Sequence, residues 1–109
     1  MKIEVLYFPG CPNHAPAVER LQAVLAAEGV AADVVEIEVN DVATAKSLRF
    51  LGSPTIRVNG TDVEAPLDVE SPTGLSCRTY VDGVTREGVP SIGLIRRAVD
   101  DAKIRELRR

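Results

Sequence analysis

The sequence predicts an α/β fold of order β-α-β-α-β-β-α, and three observations carry that prediction. Runs of β-forming residues alternate with segments of helical periodicity over most of the 109 residues, the pattern of strands joined by crossover helices. Asn59-Gly60 separates two short β-rich segments, the strongest short-range sign of a two-residue type I′ hairpin. An amphipathic segment follows Pro90-Ser91 and gathers basic residues at its end, as a closing helix does. A right-handed crossover makes the first two strands parallel, and the hairpin makes the last pair antiparallel. The sheet is therefore mixed, with helices flanking it.

Residues 2–8, KIEVLYF, form the first strand, and Pro9-Gly10 turns the chain out of it. From Asn13 to Glu28, Val18, Leu21 and Leu25 recur at helical spacing, and Gly29 stands where a left-handed C-terminal residue belongs. Residues 32–39, ADVVEIEV, alternate as a second strand. Asn40 or Asp41 can cap a short helix that turns Ala45, Leu48 and Leu51 inward, with Gly52 after it. Residues 55–58 and 61–64 are the third and fourth strands. The stretch 65–88, with Pro66, Pro72 and Gly74, is expected to be an ordered insertion with strand character around Cys77 to Val81 and a turn at Asp82-Gly83. Pro90 or Ser91 then starts the last helix, which buries Ile92, Ile95, Val99 and Ala102 and ends among Arg105, Arg108 and Arg109. Residues 1–109 are expected to form a single domain.

Composition removes several function classes. The chain is 45% apolar and 27% charged, close to a globular average, with a formal net charge of −3. Lys and Arg are scattered among Asp and Glu, and aromatic residues make up 4%. With neither a basic stripe nor a stacking platform, no nucleic-acid partner is expected. No apolar run approaches the roughly 18 residues a membrane span needs, so no membrane partner is expected either. The first residues, broken by Glu4, lack a signal-peptide pattern. The expected compartment is the cytoplasm, where two cysteines serve chemistry or metal binding more often than structure.

Cys11 lies between the first strand and the first helix, where unpaired N–H groups at a helix N-terminus favour a thiolate over a thiol. His14 can add a cation beside that sulfur or accept its proton, and it reads equally as a solvated first-turn residue. Cys77, inside the insertion, reads as a second reactive thiol or as a small buried hydrophobe. Ser71, Thr73, Ser76 and the scattered carboxylates have no triad spacing, and one His with two distant Cys fails the spacing of a structural zinc site. No metal site of that kind and no cofactor is predicted.

Tyr7-Phe8-Pro9-Gly10-Cys11-Pro12-Asn13-His14, taken together with Ser53-Pro54-Thr55, resembles the thioredoxin and glutaredoxin superfamily. The first segment stands where that superfamily carries its C-x-x-C loop, and the second stands at its cis-proline turn. The chain is also similar to short bacterial thioredoxin-like proteins with an F-x-G-C-P-N-H motif, some loosely labelled alkylmercury lyase-like. The resemblance covers nearly the whole chain outside the insertion. It implies a thioredoxin-like fold, Cys11 as nucleophile, and a substrate-binding set of Pro12, Ser53, Pro54 and Thr55. Ser53-Pro54 would be cis, its backbone placed to pair with an extended substrate. Two departures matter. His14 occupies the place of the resolving cysteine, so Cys11 acts alone or with Cys77. Thr61-Asp62-Val63-Glu64 runs straight into Ala65-Pro66 without the paired glycines and acidic residue of glutaredoxins, so glutathione binding is not implied. The leading expectation is a thiol-dependent redox protein acting on thiol or disulfide substrates. The alternatives are a binder of a thiophilic ion or organomercury through Cys11 and Cys77, with Asp68 or Asp82 as an acid, and a non-catalytic module.

Overall fold

The computed structural model of the protein describes residues 1–67 and 71–108. Strand β1 (Lys2–Tyr7) runs parallel to β2 (Asp33–Glu38), with helix α1 (His14–Glu28) as the crossover between them. Helix α2 (Val42–Ser47) leads to β3 (Thr55–Val58), which lies antiparallel to β1 on its other side, and β4 (Thr61–Asp62) folds back on β3. The sheet order is β2-β1-β3-β4, a mixed sheet within an α/β domain. Asn59 and Gly60 take φ of 51° and 83° in the β3–β4 turn, the two positive values that a type I′ turn requires.

Burial on both faces explains the adjacent apolar residues Val5 and Leu6 of β1. Successive strand residues point to opposite faces. Ile3 and Val5 join Ile56 and Val58 under α1 and the last helix, α3 (Ile92–Leu107). Leu6 faces the other way, into Val39, Ala45 and Phe50 beside α2. Helix α1 places Ala17, Leu21, Val24 and Leu25 on the sheet, while Val18 is half-buried. Gly29 (φ 62°) closes it, with Val30 N–H donating to the Leu25 carbonyl at 3.0 Å. Ser91 caps α3, its Oγ accepting from Leu94 N–H at 3.0 Å. That helix buries Leu94 with Ile95, Val99 and Ala102, and the expected Ile92 is only half-buried.

Helix α2 departs from expectation. Asp41 caps it, accepting from Thr44 N–H at 2.7 Å, but the helix ends at Ser47. Arg49 turns to φ 56°, and Phe50 N–H donates back to the Ala45 carbonyl at 2.8 Å. Arg57 on β3 donates to the carbonyls of Leu48 and Arg49 at 2.7 and 2.9 Å, satisfying the end of the helix. Phe50, not Leu51, is thereby carried into the core.

The insertion adds two strands to the expected order. β5 (Tyr80–Asp82) and β6 (Thr85–Glu87) form a hairpin with Gly83 (φ 63°) in its turn. Cys77 lies outside that hairpin and makes a single parallel bridge to Ser53. The hairpin docks on both long helices. Arg20 of α1 lies 2.8 Å from Glu87, and a Cβ at Gly88 would lie 2.4 Å from Asn13 Nδ2. Ser91 Oγ donates to Asp82 at 2.7 Å, so the Asp82 carboxylate braces the cap of α3. Asp68 and Arg109 lie outside the described residues.

Candidate functional site

The loop carrying Cys11 is two consecutive turns. Cys11 N–H donates to the Phe8 carbonyl at 3.3 Å, with Pro9 and a Gly10 of φ 83° between them, the residues and geometry of a type II turn. His14 N–H then donates to the Cys11 carbonyl at 3.4 Å, and the intervening Asn13 has φ −96° and ψ −2°, the third position of a type I turn. The helix begins at His14, so Cys11 precedes it by three residues instead of standing in its first turn. Cys11 is a free thiol, half-buried, and Pro12 beside it is exposed.

Ser53-Pro54 is cis, and Ser53, Pro54 and Thr55 are all buried. Just beyond the last β1–β3 pair, Phe8 N–H donates to the Ser53 side chain, its Oγ at 3.3 Å. The turn therefore sits against the base of the Cys11 loop. Its other side is covered by a strap, Ser76-Cys77-Arg78. Ser53 N–H donates to the Ser76 carbonyl at 2.9 Å, and Arg78 N–H donates to the Ser53 carbonyl at 3.1 Å. The expected open backbone beside Pro54 is thus already paired from within the chain. Gly52 (φ 130°) lets the strap approach, since a Cβ there would lie 2.8 Å from Arg78 Cβ. The strap holds Cys77 as a free, exposed thiol at the Ser53 end of the sheet.

Arg78 fastens the strap. It donates to both oxygens of Asp62 at 2.7 Å each, to Glu64 at 3.0 Å and to Thr55 Oγ1 at 3.2 Å. Its guanidinium carbon lies 4.4 Å from the centre of the Tyr80 ring, and the Tyr80 hydroxyl donates to the Pro54 carbonyl. Burial is the strongest single influence and works against the charge on Arg78, but the hydrogen bonds and charge of Asp62, together with Tyr80 and Glu64, outweigh it and hold the guanidinium above the usual arginine range. Burial also pushes the Tyr80 phenol above its ordinary value, against the pull of Arg78. One cluster therefore ties strap, β4 and the Pro54 turn together. The sequence reading missed it. Asp62/Glu64 and Arg78/Tyr80 each sit two apart, a spacing that shares one face of a strand, but nothing in sequence indicates that the two pairs meet.

His14 is held by the β2 side of the sheet. Its ring stacks on Tyr7 at 3.6 Å between centroids and 7° between planes, and its Nε2 lies 2.5 Å from Glu36 Oε1. Val5 and Tyr7 share the face that α1 covers, and Glu36 is the register partner of Val5, so the first residue of α1 meets both groups. With Nε2 engaged by the carboxylate, Nδ1 is the ring nitrogen left for a further partner.

Among the described residues, no three His, Cys, Asp or Glu side chains converge to hold a metal ion, and no helix is long and apolar enough to cross a membrane. A cavity of about 420 Å³ opens between the β3–β4 turn and α3, near Asn59, Arg97, Asp101 and Arg105. It lies beyond the Val58 end of β3, away from both thiols. Comparison with protein-family models, with curated proteins and with solved structures finds no match.

Proposed function

We propose that the chain is a thioredoxin-like thiol redox protein of the cytoplasm in which Cys11 is the nucleophile and Cys77 the second sulfur. The observation that carries this reading is the convergence on Ser53. Its side chain receives the Cys11 loop through Phe8, and its backbone holds the strap bearing Cys77. The parallel β1–β2 pair and the antiparallel β3–β4 pair add support, since the expected mixed sheet has both.

The chemistry follows from two thiols. The Cys11 thiolate attacks one sulfur of a disulfide R–S–S–R, the S–S bond breaks, and one RS⁻ leaves while Cys11–S–S–R forms. The Cys77 thiolate then attacks the Cys11 sulfur and expels the second RS⁻. The protein ends with a Cys11–Cys77 disulfide, and the substrate, having gained two electrons, ends as two thiols. An external thiol returns the protein to its reduced state. His14, oriented by Glu36 and Tyr7, is the candidate to take the Cys11 proton through Nδ1.

Mass spectrometry of the reduced protein treated with bis(2-hydroxyethyl) disulfide tests this reading. Cys77→Ser should accumulate the mixed disulfide on Cys11, while the wild type releases it and loses two hydrogens. Modification confined to Cys77 names the wrong nucleophile. The same sulfur pair supports a second reading, ligation of a thiophilic ion. A mercuric salt bound one to one by the wild type, and lost equally in Cys11→Ser and Cys77→Ser, favours that reading if disulfide exchange fails.

A further inference from the structure

We infer that the disulfide attacked by Cys11 belongs to a small molecule and not to an extended polypeptide; this rests on the function proposed above and specifies its substrate class. An extended peptide is captured beside a strand by pairing with main-chain N–H and C=O groups that are still free. At the Cys11 end of the sheet the backbone available for this is Ser53, next to Pro54. Both of its groups are engaged by Ser76 and Arg78, and its Oγ is engaged by Phe8.

The strap is not a loose cover. Admitting a peptide in its place would pull Arg78 away from Asp62, Glu64 and the Tyr80 ring, leaving two carboxylates without their counterion inside the protein. The bare Cα of Gly52 shows how closely the strap is seated, because even a methyl group there would meet Arg78 at 2.8 Å. On the Pro54 side a peptide could add only to the outer edge of the strap, one strand spacing of about 4.8 Å beyond it. On its other side the Cys11 loop is open, with Pro9, Gly10 and Pro12 all exposed. A short disulfide needs no backbone pairing and can reach the half-buried sulfur from there.

The test uses the full-length reduced Cys77→Ser protein, so that only Cys11 reacts. Its exchange rate is measured with bis(2-hydroxyethyl) disulfide and with mixed disulfides of 2-mercaptoethanol and a cysteine placed in peptides of increasing length. From the mixed disulfides only the peptide–Cys11 adduct is counted, by mass spectrometry, so that the event followed is attack on the peptide sulfur and 2-mercaptoethanol is the leaving thiol in every case. The expected result is that the small disulfide reacts fastest and the peptide rates do not rise with length. A rise of about tenfold with length, equal to about 1.4 kcal/mol of transition-state binding, overturns the inference and leaves the proposed function standing. If no reagent modifies Cys11, both fall. As an independent check, Arg78→Lys, which keeps the charge but not the two-pronged pairing with Asp62, should increase the peptide rate relative to the small-disulfide rate. A decrease in that ratio counts against the strap as the barrier.

Discussion

Arg78 is the residue on which the arrangement around the thiols depends, because a buried guanidinium is tolerated only when its hydrogen-bonding directions are filled. Asp62, Glu64 and Thr55 engage both terminal nitrogens, and the Tyr80 ring covers a face. Replacing Arg78 with Met keeps most of the volume but strands Asp62 and Glu64, and we expect a loss of about 3–5 kcal/mol in urea unfolding. A loss below about 1 kcal/mol, the worth of an exposed pair, would show that the cluster is not sealed from water. Tyr80 links the same cluster to pH. Burial raises its phenol above the ordinary value, so the folded protein keeps this proton at pH values where the unfolded chain, titrating near about 10, gives it up. The stabilisation from Tyr80 is complete below that value and is lost as pH rises towards the folded value. The stability difference between wild type and Tyr80→Phe should therefore shrink as pH passes about 10, and urea midpoints for both proteins across that range would show it. Every other group is common to the two proteins and cancels in the comparison, so a difference that stays constant with pH would remove the assignment.

Elements were readable in the sequence to the extent that their signals are local. The Asn59-Gly60 turn, the Gly29 end of α1 and the Asp41 and Ser91 caps are set by a few adjacent residues, and the structure has each of them. Helix α2 was misread at its end because the deciding group is distant in sequence. Arg57, on β3, binds the Leu48 and Arg49 carbonyls and lets the helix stop after Ser47, which turns Phe50 inward where the apolar spacing favoured Leu51. The insertion was readable at its Asp82-Gly83 turn and in part of the strand expected around Cys77 to Val81, since β5 begins at Tyr80 and Cys77 forms a bridge. Its β5–β6 hairpin is short and half-exposed, without the apolar alternation that marks a strand against a core. The strap is held by one bridge and one ion cluster, neither of which leaves a periodic trace. Among the candidate site residues, Cys11 and the Ser53-Pro54-Thr55 turn could be placed together because both join the central strands at one end. The partners of His14 could not be, since Glu36 is identified only by the register of β2.

Three stretches remote in sequence meet at that end of the molecule: the Cys11 loop, the Gly52–Thr55 turn and the strap bearing Cys77, with Asn13 packed on Gly88 beside them. Mixed strand order makes this unavoidable for the first two, because β1 ends where antiparallel β3 begins. The third depends on Arg78, and it holds the second cysteine at the Ser53 end of the sheet, with both thiols free. A Cys11–Cys77 bond needs the Cα atoms of the strap and the Cys11 loop within about 7 Å, the reach of a disulfide, by whatever movement of the two brings them there. The loop has no regular structure between Phe8 and Asn13, and Cys77 is exposed, so this movement does not require the sheet to open. A Cys11–Cys77 bond would enclose more than half of the chain. In the chain-entropy view it would restrict the unfolded state by about 4 kcal/mol. Treatment with a small disulfide should therefore yield a monomer lacking free thiols, whose melting temperature exceeds that of the reduced protein. Cys77→Ser, given the same treatment, should show no such rise. If oxidation instead yields only dimers or a stable mixed disulfide on Cys11, the strap is too firmly anchored to deliver Cys77, and Cys11 works as a one-cysteine site whose adduct is released by an external thiol.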